Sequence, residues 1–309
     1  MNLEQLRGFV AVAEKGHFTR AAEALHIAQP SLSRQIATLE NEVGGDLFHR
    51  ARGNITLTSA GETLLPRARR MLADAEAIRV EMAELAGLQR GRVRLGATPT
   101  LCVSLVAEAM TAFHPAHPGI ELQLTEGGSR LLIERLAGGE LDMALITLSE
   151  GLAVSEAAIV RTPLLTEELV VISTASAPPI ADGPIDLRRL SALPSIAFAE
   201  SYDLRAATDA AFRSAGVAPS TVIEGAEMDA VLRFVERGLG VAVVPATVLV
   251  DRPSLRAARL VDPQLTRTIS LAHRSDVTPT RAAAAMRDVL VDTAAALAAA
   301  EPETLRIVR

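Results

Sequence analysis

The sequence predicts an α/β protein in three parts: a small helical module closed by a hairpin, one long helix, and a larger α/β domain of two lobes. Three observations carry that prediction. Two short helices joined by a tight turn precede two short alternating segments within residues 1–58. Apolar residues then recur at spacings of three and four from 59 to 86, and from Arg92 onward strands and helices alternate in two successive cycles. A chain of 309 residues exceeds one ordinary domain. A hydrophobic content of 49% with 22% charged residues supplies ample core.

The first helix is expected from Leu3 to Glu14, with Leu3, Leu6, Phe9, Val10 and Ala13 on one stripe and Gly16 ending it. Thr19 is a candidate cap for a second helix through Ala21, Ala22 and Leu25, whose alanines allow close crossing by a neighbour. A third helix opens with Gln29 as cap and Pro30 in the first helical position, where the missing N–H costs nothing. Leu32, Ile36, Leu39 and Val43 share its buried face, while Ser31, Arg34 and Thr38 fall opposite, flanked by Pro30, Ser33 and Ala37. That outer face has the form of a DNA recognition helix, although the same pattern also describes an ordinary amphipathic surface helix. Leu47–Arg50 and Asn54–Leu57 then read as strands around a turn at Ala51–Gly53, so the module is expected to be a winged helix-turn-helix. Arg50 and Arg52 sit where a wing reaches phosphates, which the planar guanidinium fork suits, or are simply solvated hairpin charges.

Thr58 or Ser59 is the expected cap of the long helix, with Ser59 and Glu62 in capping-box spacing. Gly61, Leu64, Ala68, Met71, Ala75, Ile78, Met82 and Leu85 form a heptad seam. At ~1.5 Å per residue this helix is about 40 Å long, too long for the first module to cover. A second chain is the expected cover, the alternative being the chain's own large domain. Gly87 and Gly91 bracket a hinge.

The β-α-β-α-β order beyond Arg92 implies a largely parallel sheet with helices on both faces. Its strands are expected at Val93–Leu95, Ile120–Leu124 and Leu141–Ile146, with helices at Thr100–Phe113 and Ser129–Ala137 and a turn at His114–Gly119. A second cycle follows with strands Val170–Ser173, Ser195–Ala199 and Val241–Val244 and helices Leu204–Ala215 and Glu227–Arg237. Crossings between the lobes are expected near Arg161–Thr166 and Leu265–Thr268, and a closing helix at Arg281–Ala300. Ligands in such folds sit beyond the carboxyl ends of strands. Thr98 and Thr100, then Ser129 after Glu126, Gly127 and Gly128, then Ser201, Tyr202 and Arg205 occupy such places. Hydroxyls, free backbone donors and one Arg suit a small anion, a carboxylate in particular. The plainer account of Thr98, Thr100 and Ser129 is that they cap helices.

The run FTRAAEALHIAQPSLSRQIATLENEVGGDLFHR resembles the amino-terminal signature of LysR-type transcriptional regulators, departing from it at Ala28, where Ser or Thr is common. EGGSRLLIERLAGGELDMALI and EMDAVLRFVERGLGVAVVP resemble the family's effector-binding domain, which is similar to type 2 periplasmic binding proteins. The resemblance spans Leu3 to about Met286. It implies a winged helix-turn-helix over 1–58, a linker and dimerisation helix with hinge over 59–90, and a two-lobed α/β effector-binding domain over 91–309. Lobe 1 takes about 91–162 and 269–309, lobe 2 about 163–268.

It further implies a ligand-responsive regulator acting on an inverted-repeat operator in double-stranded DNA, with RNA polymerase as a partner and no cofactor. Two chains would pair through antiparallel linker helices at Leu64, Ala68, Met71, Ala75, Ile78 and Met82, and dimers would assemble as a homotetramer. DNA-binding positions would be Thr19, Gln29, Pro30, Ser31, Ser33, Arg34, Thr38, Arg50 and Arg52. Effector-binding positions carried over are Thr98, Thr100, Ser129, Thr147, Phe198 and Ser201, to which Arg205 is added for its charge and place.

Charge is unevenly spread. Residues 1–90 hold 11 Lys plus Arg and 11 Asp plus Glu, so the whole net charge of −6 lies beyond residue 90. Basic character alone therefore does not announce DNA binding. No apolar run spans a bilayer, and the chain opens with Asn2, Leu3 and Glu4 rather than a signal segment, so a cytoplasmic location without membrane association is expected. The single Cys102 excludes an internal disulfide and is expected to pack as a small apolar residue. There is no Walker A run, no GxGxxG and no HExxH. His114 and His117 flank Pro115 without further ligands close by, and Glu140 and Asp142 read as lobe structure. An enzyme of the two-lobed type and a plain solute-binding protein are the rival readings; no catalytic residue or metal site is expected.

Overall fold

The computed structural model describes residues 1–51, 54–85, 91–148, 159–200, 202–250 and 252–308. Residues 1–90 form one compact unit and most of the remainder a second. In the first, α1 (Leu3–Lys15) is held at its start by a capping box in which the Asn2 side chain accepts from Gln5 N at 2.9 Å and the Gln5 side chain accepts from Asn2 N at 2.8 Å. Gly16 ends it at φ 62°, a conformation that favours glycine. The second helix, α2 (Phe18–Ala24), starts one residue before the expected cap. His17 takes that role, its ring nitrogen accepting from Thr19 N, and Thr19 lies inside the helix.

The third helix, α3 (Gln29–Val43), likewise begins a residue early. Ala28 holds the cap position with no side-chain bond, Gln29 is already helical, and Pro30 follows in the first turn. Leu32, Ile36 and Leu39 are fully buried with Leu6, Phe9 and Val12. Val43, expected beside them, is 43% exposed, because the last turn runs past the core before Gly44 (φ 80°). Glu40 faces inward instead, its carboxylate accepting from Leu47 N at 2.9 Å. A hairpin of β1 (Phe48–Ala51) and β2 (Asn54–Leu57), with Phe48 opposite Leu57, closes the module. Phe48 packs on the rings of Phe9 and Phe18.

The long helix α4 spans Ser59–Leu85. Its cap is Thr58, whose hydroxyl accepts from Gly61 N at 3.1 Å; Ser59 is already helical, so the Ser59–Glu62 box does not form. The heptad seam divides. Ala68 is fully buried in the module's own core, which corrects its assignment to a partner interface, and the half-buried Leu64 packs against the same core. Met71, Ile78 and Met82 are exposed by 45%, 59% and 55%, with Ala75 half-buried. The Leu85 side chain and Gly87 lie outside the described residues.

In the second unit β3 (Gly91–Ala97) leads into α5 (Pro99–Leu101), a π-helical turn at Cys102–Val106, and α6 (Ala107–Ala116). The helix runs through Pro115, so the expected turn begins only at His117, whose ring lies 4.4 Å from that of Phe113. Then follow β4 (Ile120–Glu126), α7 (Ser129–Ala137) and β5 (Met143–Leu148), with β4 and β5 parallel to β3 on either side. Asp142, just before β5, ties that strand to β3 by accepting from Arg94 N at 2.7 Å.

The long β6 (Ile159–Thr174) precedes β7 (Ile185–Asp186), α8 (Leu187–Ser191), β8 (Pro194–Phe198), α9 (Asp203–Ser214), β9 (Ser220–Ala226), α10 (Met228–Glu236) and β10 (Ala242–Pro245). The chain ends through β11 (Leu255–Val261), β12 (Thr266–Arg274), α11 (Arg281–Ala300) and β13 (Leu305–Ile307). The sheet is mixed rather than largely parallel, because β6 runs antiparallel to β10, β11 and β12, and β12 antiparallel to β5. Both expected crossings fall on these two strands. β12 pairs with β6 from Thr266 opposite Glu168 to Arg274 opposite Ile159, and the far half of β6 carries β10 and β11. No helix among the described residues is long and apolar enough to cross a membrane.

One close approach is decisive for the first unit: a Cβ at Gly61 would lie 2.3 Å from the Leu47 carbonyl oxygen. Gly61→Ala is expected to destabilise this module by about 1–3 kcal/mol, read as a lower denaturant midpoint; an unchanged midpoint would refute the packing described.

Candidate DNA-binding face and interlobe cleft

On α3, Gln29, Pro30, Arg34 and Thr38 are exposed and Ser31 and Ser33 half-buried, so the six lie on the outward part of the helix. Local bonds hold them there: Gln29 Nε2 donates to Ser33 Oγ at 2.9 Å, and the Thr38 hydroxyl to Arg34 O at 2.9 Å. Arg34 Nε reaches only Pro30 O at 3.4 Å, and its guanidinium has no carboxylate partner among the described residues. Two acids later in the same helix are engaged elsewhere, Glu40 in the core and Glu42 with the amino terminus. Thr19 is exposed on α2. The Arg50 side chain and the whole of Arg52 lie outside the described residues.

A cavity of about 190 Å³ opens between the lobes. Thr98, Thr100, Gly127, Gly128 and Thr147 line it from lobe 1, and Tyr202, Asp203 and Leu204 from lobe 2; Glu126, Glu227 and Arg267 complete the charged part of its wall. A second compartment of about 400 Å³ shares Thr147, Asp203, Leu204 and Arg267 with it. Thr98 occupies the cap position of α5, yet its side chain makes no capping bond. Its hydroxyl instead faces that of Thr100 at 3.4 Å, and both residues are buried. The capping account therefore does not explain Thr98.

Ser129 and Phe198 are near the cavity but outside its wall. The Ser129 hydroxyl accepts from Thr147 N at 3.2 Å and lies 2.7 Å from Thr147 O and 2.9 Å from Asp203 Oδ2; its one proton serves one of these two acceptors. The Ser129 hydroxyl thus joins the start of α7 to the first turn of α9. Phe198 stacks behind Tyr202 with ring centroids 5.2 Å apart. Arg205 is turned away and fully committed: to Asp209 at 2.7 Å, to Phe198 O at 2.9 Å and to Glu224 at 2.7 Å. The Glu224 and Asp209 bonds hold its pKa up. The assignment of Arg205 to the ligand is corrected accordingly, and Ser201 lies outside the described residues.

Sequence reasoning missed the wall's charges. Asp203 sits in the first turn of α9, Glu227 caps α10 without a side-chain capping bond, and Glu126 ends β4 just before α7. Carboxylates are ordinary at helix N-termini, where they meet the positive end of the dipole, so nothing in their spacing singled them out. Arg267 is the one cation in the wall among the described residues, and the fully buried Glu167 accepts from its Nε at 2.7 Å. Glu167 also accepts from Thr247 N at 3.2 Å and the Thr247 hydroxyl at 2.7 Å. The Tyr202 hydroxyl donates to Glu227, and burial followed by that bond raises its pKa, Glu126 adding to the shift. Burial, then Glu126, pushes the Cys102 thiol up to about 12. Reactive cysteines need the thiolate, which this upward shift disfavours. Among the described residues no group of three or more His, Cys, Asp or Glu is placed to hold a metal.

A winged helix-turn-helix with an outward polar helix, in one chain with a two-lobed domain holding a polar cleft, defines a ligand-binding transcriptional regulator. Residues 3–62 match the bacterial regulatory helix-turn-helix of the lysR family, and residues 86–295 match the LysR substrate binding domain. The chain belongs to the LysR family of DNA-binding transcriptional regulators. It is 33% identical over 272 residues to the uncharacterized HTH-type transcriptional regulator YybE of Bacillus subtilis, covering 88% of this chain and 92% of that one. It is 32% identical over 286 residues to the HTH-type transcriptional regulator IlvR of Caulobacter vibrioides, covering 91% and 95%. A full-length OxyR variant from Pseudomonas aeruginosa superposes with a TM-score of 0.71 at 29% identity, covering 95% of this chain and 94% of that one. The relatives are transcriptional regulators, and the chain is not an enzyme.

Removing one partner of a buried ion pair strands the other charge. Glu167→Ala is expected to cost about 3–5 kcal/mol, lowering the thermal midpoint of the second unit. Arg267→Ala, which strands Glu167, should do the same, and a midpoint within error of wild type for both would contradict the pairing.

Proposed function

We propose that this regulator binds an inverted-repeat operator as a dimer, assembled further into a tetramer, and senses a small metabolite in the cleft between its lobes. The observation that carries the first half is the outward face of α3, where Arg34 has no acidic partner among the described residues and polar side chains surround it. Gln29, Ser31, Ser33 and Arg34 would enter the major groove, with Thr38 and Thr19 at its edge and Arg50 and Arg52 on the flanking backbone. The exposed Met71, Ile78 and Met82, continued by Ala75, would meet the same helix of a second chain, while Leu64 and Ala68 support the helix from within.

The second half rests on the polar cavity and on the latch between Ser129 and Asp203. A ligand that contacts Asp203 competes with the latch and so shifts the balance between lobe arrangements. By changing dimer spacing, that shift would alter DNA bending and the access of RNA polymerase. The site of action is the cytoplasm. The carboxylate expected from the residues alone loses its main support with Arg205.

Arg34→Ala tests the first half. If Arg34 grips a phosphate, operator affinity falls and the slope of log affinity against log salt drops by ~0.9. If it reads a base, discrimination at one operator position relaxes by about 1–3 kcal/mol. Unchanged affinity, slope and preference would remove Arg34 from the interface. For the dimer, Ile78→Asp with Met82→Asp should shift the chain to lower mass in analytical ultracentrifugation, whereas an unaltered mass would contradict the exposed seam's role.

A further inference from the structure

We infer that the cleft ligand is a small organic cation, a protonated amine held by Glu126 and Glu227 against the Tyr202 ring, rather than an anion. This rests on the reading of the cleft as the effector site and specifies what that site takes. In open α/β domains an anion is held by the free N–H groups at helix N-termini. Here Asp203 and Glu227 already occupy the starts of α9 and α10, and Glu126 stands just before α7. The protein's own carboxylates thus stand beside the places a ligand carboxylate would take and repel it.

The balance of charge points the same way. Three carboxylates line the cavity against one cation among the described residues, Arg267, which is ion-paired with Glu167 behind it although its Nη2 makes no hydrogen bond. The Glu126 carboxylate, on the last residue of β4, makes no hydrogen bond or ion pair among the described residues, so a ligand N–H has an acceptor there. Glu227 takes one proton from the Tyr202 hydroxyl and keeps further acceptor capacity. Among the described residues Asp203 is bound to Ser129 alone.

The aromatic wall is an independent feature with the same preference. Tyr202 is buried, lines the cavity and is backed by Phe198. An aromatic face beside carboxylates favours a cation through the ring quadrupole. The hydroxyls of Thr98 and Thr100, spare of any capping duty, would take a polar group at the ligand's other end. The compartment of about 190 Å³ holds the ammonium end, and the adjoining one of about 400 Å³ leaves room for the rest of the ligand.

The chain contains one tyrosine and no tryptophan, so intrinsic fluorescence excited at the phenol reports on this cavity alone. Full-length protein titrated with butylammonium or butyrate, matched for chain length and ionic strength, separates the two ligand charges. Butylammonium should change Tyr202 emission saturably while butyrate does not. Glu126→Gln and Glu227→Gln, which preserve shape and hydrogen bonding, should each weaken the butylammonium response about tenfold or more. A response to butyrate and not to butylammonium, or a butylammonium response untouched by both substitutions, would overturn the cation while leaving the cleft as a ligand site. Silence toward both probes would overturn the cation and the cleft together. Operator binding, read by gel shift on the same samples, would then stand or fall separately.

Discussion

The buried pair of Glu167 and Arg267 is the interaction on which the second domain depends. The two residues lie on β6 and β12, the strands that pass between the lobes, and Glu167 also ties down the backbone and hydroxyl of Thr247 in lobe 2. A carboxylate with no exposure is tolerable only when its lone pairs are filled, and here three donors fill them. The arrangement fixes the strands at the crossing and leaves Arg267 facing the cleft with its charge already compensated. On the proposed reading of the cleft, ligand selectivity and lobe geometry share this residue pair. A ligand that changes the wall around Arg267 acts directly on the crossing.

The first domain is built differently. Its core is apolar and small, closed by the Phe9, Phe18 and Phe48 rings, and one buried acid, Glu40, is used to hold the loop into the hairpin. Glu42 is engaged by the amino terminus. With the acids so placed, a module without net charge can still present an uncompensated Arg34, which is what phosphate or a guanine edge responds to.

Much of the fold was legible from periodicity. The closing helix Arg281–Ala300 is the span the sequence predicted, and α3 and the β1–β2 hairpin were located within a residue or two. Caps were less legible, because the deciding groups were a His ring at residue 17, Thr58 rather than Ser59, and at residue 28 no side chain at all. The heptad of α4 was real but ambiguous, since the same 3.5-residue spacing describes a stripe that packs inward at Ala68 and one that stays open at Ile78. For the cleft, Thr98 and Thr100 were found from their places after a strand, and Thr147 through the family resemblance. Arg205 was misplaced because charge and position do not reveal that Asp209 and Glu224 claim it first. The wall's acids were passed over because a carboxylate at a helix start has an ordinary explanation.

The central claim is that this chain reads an operator through α3 and that the cleft modulates the reading. DNase I footprinting of the full-length protein on the intergenic DNA beside its own gene, with and without a compound that perturbs Tyr202, tests it most directly. Protection over an imperfect inverted repeat, shortened or shifted by the compound, is the predicted result. No protection at low salt from folded dimeric protein, or a footprint that the compound leaves unaltered, would contradict it.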